Sequence, residues 1–170
     1  MKLKLLSLYM VLLAAMTGVA GCTEVDDDRV PYYPVYIDLS PPGYWERYGV
    51  HALGQSREFI KSRRVPADFS YVVTSETGFG GVLLVTDVEN YPLVYDLACP
   101  VELNRETRVV FDSETLRARC PKCGSEYDVC ELNGTPVSGE AFKRKWALRR
   151  YQAVPVGLGG SLTGYRITQR

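Results

Sequence analysis

The sequence predicts an all-β protein, and three observations carry that reading. Tyrosine, a strand-favouring residue, occurs 12 times in 170 residues, the apolar runs are short, and 10 prolines and 15 glycines punctuate them. The first strand is expected at 35–39, where Val35, Ile37 and Leu39 alternate with Tyr36 and Asp38 in the two-residue period of a strand. Periodicity weakens between Trp45 and Phe69, and 56–62 is assigned to loop. Strands resume at 71–74 (Tyr-Val-Val-Thr) and at 81–86, where Gly81 leads into Val-Leu-Leu-Val-Thr. The run Leu-Val-Tyr-Asp-Leu gives 93–97, a hairpin follows at 107–111 and 116–119, and 126–131 begins just after Gly124-Ser125. The strands at 148–154 and 163–168 close the chain on either side of a glycine-rich turn. No internal repeat divides the sequence, and its length suits one core, so a single domain is expected at 34–170.

Residues 1–21 read as a leader. Lys2 and Lys4 form a basic head, and the apolar run at 5–20 falls short of the ~20 residues a spanning helix needs. It ends at small residues in Val19-Ala-Gly-Cys22 and resembles bacterial lipoprotein signals. That resemblance implies cleavage before Cys22 and acyl chains on that cysteine. Membrane lipid then becomes the first partner, and the cell envelope the location. Thr23-Glu-Val-Asp-Asp-Asp28 repeats like charge with nothing to bury, so 22–33 is expected to be a flexible acidic tether.

Without residues 1–21 the chain carries 18 basic and 20 acidic side chains, a formal charge of −2 that gives no reason to expect a nucleic-acid partner. The basic groups Lys143-Arg-Lys145 and Arg149-Arg150 are read as a solvated face.

The chemistry concentrates in two segments, Asp96-Leu-Ala-Cys-Pro-Val-Glu102 and Cys120-Pro-Lys-Cys-Gly-Ser-Glu-Tyr-Asp128. Together they resemble the two cluster-binding loops of Rieske iron–sulfur domains. The order of elements is similar from Gly80 onward, through Asn133-Gly-Thr-Pro-Val-Ser-Gly139 to the strand at 148–154. The resemblance implies an antiparallel β-sandwich with both loops at one end, a [2Fe–2S] cluster between them, electron transfer, and a redox or protein partner. It also implies hydrogen bonds from the hydroxyls of Ser125 and Tyr127 to cluster sulfurs. A Rieske centre takes two cysteines on one iron and two histidines on the other. Here Val101 and Cys123 stand at the histidine positions, and the chain's one histidine is His51, read as an ordinary loop or strand residue. The family's loop-to-loop disulfide would fall at Asn104 and Lys122, so that clamp is absent.

Besides Cys22, the chain has Cys99, Cys120, Cys123 and Cys130, and three chemistries compete for them. A [2Fe–2S] cluster would use Cys99, Cys120 and Cys123, with a fourth donor from Glu102, Cys130 or a mobile segment. A single zinc or iron ion would take all four thiolates. Cys120-Pro-Lys-Cys-Gly124 has the spacing of a metal knuckle, in which two intervening residues let both sulfurs reach one ion. The third chemistry is metal-free: disulfides such as Cys99–Cys120 or Cys99–Cys123 would tie the loops in an oxidising compartment and leave an interaction module. No Ser-His-Asp or histidine-rich pattern is present, so no catalytic activity of the chain's own is expected.

Overall fold

A computed structural model describes residues 25–170, and the leader and Cys22 lie outside the described residues. The fold is all-β. Strand β4 (Val82–Thr86) organises it, because all five of its residues are buried. Alternation along the strand sends Val82 and Leu84 to one face, among Ile37, Leu39, Phe59, Val94 and Ile167. Leu83 and Val85 face the other way, among Tyr95, Leu97, Val109, Tyr127 and Leu148. A strand covered on both faces reads as a continuous apolar run, as Val-Leu-Leu-Val does.

Strands β2 (Ser56–Phe59) and β5 (Pro92–Asp96) pair antiparallel with β4 on its two sides. Beyond β5 come β10 (Arg150–Leu158), β11 (Ser161–Gln169), β1 (Val35–Asp38) and β3 (Glu76–Thr77), making a seven-stranded sheet. Its two edges approach each other. The Lys61 amide donates to Thr77 Oγ1 (3.3 Å) and its ammonium to the Ser75 carbonyl (2.6 Å), so the sheet is a nearly closed, barrel-like wall. A smaller antiparallel sheet holds β6 (Val110–Asp112), β7 (Arg117–Arg119), β8 (Glu126–Asp128) and β9 (Thr135–Ser138). It shares the outer core of β4 and β5 and carries the second cysteine loop. Two short helices, α1 (Tyr44–Tyr48) and α2 (Gly139–Arg144), complete the fold.

Several sequence expectations change. The segment 71–74 is a turn rather than a strand: Val73 is almost fully exposed, and the Val72 and Ser75 backbones bond to each other's residue. The segment 56–62, assigned to loop, is β2 followed by a 3-10 turn at Lys61–Arg63, because pairing with β4 supplies the order that local periodicity lacks. Likewise 135–138, outside the expected strands, is a strand on β8. The closing strands lengthen to nine residues each as one continuous hairpin.

The acidic tether is a docked strap over residues 26–30. The Asp26 amide donates to the Lys145 carbonyl (2.9 Å), the Ala147 amide donates to the Asp26 carbonyl (2.8 Å), and Val30 is fully buried. Asp27 pairs with Arg150 (3.0 Å), and Asp28 with Arg149 (3.1 Å). The acidic run and the Arg149-Arg150 pair, read apart as solvated features, neutralise each other.

Asp96 ends β5 with a buried carboxylate. It accepts hydrogen bonds from the amides of Phe79 (2.7 Å), Gly80 (2.9 Å) and Ala98 (2.7 Å) and from the Tyr151 hydroxyl (2.7 Å). Burial pushes its pKa up, and these four donors pull against that rise. Asp96→Ala leaves the three amides without their acceptor and should cost about 3–5 kcal/mol, whereas Tyr151→Phe removes one donor and should cost about 1–2 kcal/mol. Urea unfolding of the two variants measures both, and Asp96→Ala should give the larger loss.

Candidate metal centre

Strand β5 runs into the first cysteine loop and β7 into the second. The first loop leaves a backbone held on both sides: the Leu97 amide donates to the Gly81 carbonyl (2.9 Å) and the Val109 amide to the Leu97 carbonyl (2.8 Å). The second is closed by the Cys120 amide on the Ser125 carbonyl (2.9 Å) and the Gly124 amide on the Cys120 carbonyl (3.0 Å). Gly124 takes a φ of 70°, a left-handed conformation suited to glycine.

These loops bring the sulfurs of Cys99, Cys120 and Cys123 within 4.8 Å of one another. Cys99 Sγ and Cys123 Sγ are 3.6 Å apart. Sulfurs at about 2.3 Å from one tetrahedral ion lie about 3.8 Å apart, so this is the spacing of thiolates gathered round a metal. Cys99 and Cys120 are buried, and Cys123 is partly exposed.

Cys130, expected as a fourth thiolate, does not join them. Its thiol is buried just beyond β8 and is pushed up to about 11 by burial and by the charges of Asp128, Glu131 and Asp87. His51 is exposed and stands edge-on to Trp45 at 5.7 Å. Val101 packs against the core.

The two hydroxyls lie beside the sulfurs. Tyr127 Oη is 3.5 Å from Cys99 Sγ, and Ser125 Oγ is 3.3 Å from Cys123 Sγ. Ser125 Oγ also accepts the Ala141 amide of α2 (3.2 Å). Gly139, at φ 78°, makes room for this contact, since a Cβ there would stand 2.7 Å from Ser125 Oγ.

The three thiols ionise unequally. Burial pushes Cys99 up to about 12 against the pull of the Tyr127 hydroxyl and nearby amides, and burial raises Cys120 as well. For Cys123 burial acts in the same sense, but the hydroxyl and amide of Ser125 and the neighbouring thiols outweigh it and hold it below the usual thiol range.

The sequence reading missed an ion pair between the loops, Lys122 with Glu102. Its signal was there in the opposite charges the two loops carry. This pair ties the first loop to the second.

Three converging sulfurs suit one soft or borderline ion. A [2Fe–2S] cluster asks for two protein ligands on each of two irons. Among the described residues Cys99, Cys120 and Cys123, and no fourth Cys, His, Asp or Glu, lie within the mutual 4.8 Å that suits a single ion. Comparison with family models, curated proteins and solved structures finds no match to this chain.

The exposure and ionisation of the thiols give an order of reaction. In the metal-free protein Cys123 should be alkylated by iodoacetamide at least about 10-fold faster than Cys99, Cys120 or Cys130. Timed quenching and peptide mass spectrometry measure the four rates.

Proposed function

We propose that this chain is a metal-binding protein of the cell envelope, anchored to a membrane by acyl chains on Cys22 and holding one metal ion on Cys99, Cys120 and Cys123. The observation that carries the proposal is the meeting of three sulfurs, delivered by two loops, inside an otherwise apolar core. Zinc and iron both suit thiolate donors. Iron would serve electron transfer, the role implied by the likeness to Rieske domains; zinc would tie the two loops. The paired loops and the hydroxyls of Ser125 and Tyr127 beside the sulfurs support that likeness, while the donor set departs from it.

A second reading rests on the 3.6 Å between Cys99 and Cys123. Oxidation would need the two sulfurs to approach by about 1.5 Å to reach bonding distance. The product would be a disulfide-tied interaction module without metal.

Metal analysis of protein purified under reducing conditions should find one equivalent of zinc or iron per chain. Cys123→Ser should lose it and Cys130→Ser should retain it; equal metal in wild type and Cys123→Ser would sink the proposal.

Among the described residues no helix is long and apolar enough to cross a membrane, and in this proposal attachment falls to Cys22. Cys22→Ala should therefore leave the chain unlipidated, and mass spectrometry of the purified chain should show the loss of its acyl groups.

A further inference from the structure

The two cysteine loops are one turn made twice. Each opens with Cys-Pro, as Cys99-Pro-Val-Glu102 and Cys120-Pro-Lys-Cys123. In each, the amide four residues on returns to the cysteine carbonyl: Leu103 to Cys99 and Gly124 to Cys120, both at 3.0 Å. In each, that residue has a positive φ, 48° at Leu103 and 70° at Gly124. A leucine resists left-handed backbone, so the first loop keeps this turn despite a local cost.

Equal turns meeting at one point give equal standing to the residue three places after each cysteine. In the second loop that residue is Cys123, whose sulfur is one of the three. In the first loop it is Glu102. The geometry points to Glu102 as the fourth ligand, its carboxylate completing a tetrahedron of three sulfurs and one oxygen on zinc or another borderline divalent ion. This rests on the reading that Cys99, Cys120 and Cys123 bind a metal.

The chemistry is consistent. Carboxylate is an ordinary zinc ligand beside thiolate and imidazole. The Glu102 side chain is only 13% exposed and its charge is met by Lys122, which is 66% exposed. A pair whose ammonium is so exposed is screened by water and weak. A divalent ion arriving at the sulfurs takes over the charge that Lys122 balances, and the flexible lysine swings back to water. Of the donors outside the group of three sulfurs, Glu102 sits in a turn that carries one of them, whereas Cys130 and His51 lie outside both turns.

The test is cobalt(II) and zinc binding by the full-length chain under reducing, anaerobic conditions, comparing wild type with Glu102→Gln, Lys122→Ala and Glu102→Cys. Losing an outer partner of a metal site typically costs 10- to 100-fold in affinity, so losing a ligand should cost Glu102→Gln at least about 10-fold. Lys122→Ala should bind as tightly as wild type or tighter, because it frees the carboxylate. Glu102→Cys should keep tetrahedral cobalt bands and raise the thiolate charge-transfer intensity by about a third, from three sulfurs to four. Unchanged affinity in Glu102→Gln overturns the assignment. An equal loss in Lys122→Ala and Glu102→Gln also overturns it, by making Glu102 a partner of Lys122 that positions the loops. A wild type that binds neither ion overturns the metal reading itself, and that result is distinct from the other two.

Discussion

The Asp96 carboxylate is the contact on which the rest of this structure depends. Four donors converge on it: the amides of Phe79 and Gly80 just before β4, the amide of Ala98 on the way into the first cysteine loop, and the hydroxyl of Tyr151 on β10. A charge without a cation beside it is stable inside a protein only when hydrogen bonds replace its water, and this one is so supplied. Three stretches far apart in sequence are thereby fixed to one point. Cys99 lies three residues beyond it, so the direction in which the first loop leaves the sheet is set by a group that takes no part in the site.

What could be read from the sequence follows from how local each signal is. Strand β4 was plain, because burial on both faces writes itself as an unbroken apolar run. Strand β1 was plain for the opposite reason, since one-sided burial alternates Val35, Ile37 and Leu39 with polar neighbours. Strand β2 was not legible: Ser-Arg-Glu-Phe carries little pattern of its own and becomes a strand through pairing with β4. The segment 71–74 failed the other way, with strand-favouring residues in a turn that nothing pairs. At the site, the convergence of Cys99, Cys120 and Cys123 was foreshadowed by the motifs, whereas Cys130 could not be placed from them. A residue's distance from a loop tip says nothing about which side of a strand it leaves. The Arg149 and Arg150 pairs with Asp28 and Asp27 were equally hidden, being contacts between opposite ends of the chain.

Gathering three thiols in a low-dielectric core sets up an opposition. Burial holds Cys99 and Cys120 in their neutral form, while a metal ion needs them as thiolates. On the proposed reading, loading the site would expel protons, and the occupied and empty forms would differ in charge as well as content. In that reading Cys123, partly exposed and with its ionised form favoured by Ser125, would be the point of first contact for an arriving ion. Nearby amides, those of Val101 and Glu102 at Cys99 and of Lys122 and Cys123 at Cys120, pull toward the thiolate without adding charge of their own.

Ser125 stands at a junction whose meaning is mechanical. Its hydroxyl is shared between the Cys123 sulfur and the first turn of α2, and the residue after α2, Lys145, is hydrogen-bonded through its carbonyl to Asp26. The strap at the start of the described chain and the partly exposed sulfur of Cys123 are thus linked through a single helix of six residues. A load drawn along the strap bears on α2, and any tilt of α2 shifts the oxygen against Cys123. The fold places a lever arm between the strap at residues 26–30 and the partly exposed thiol of Cys123.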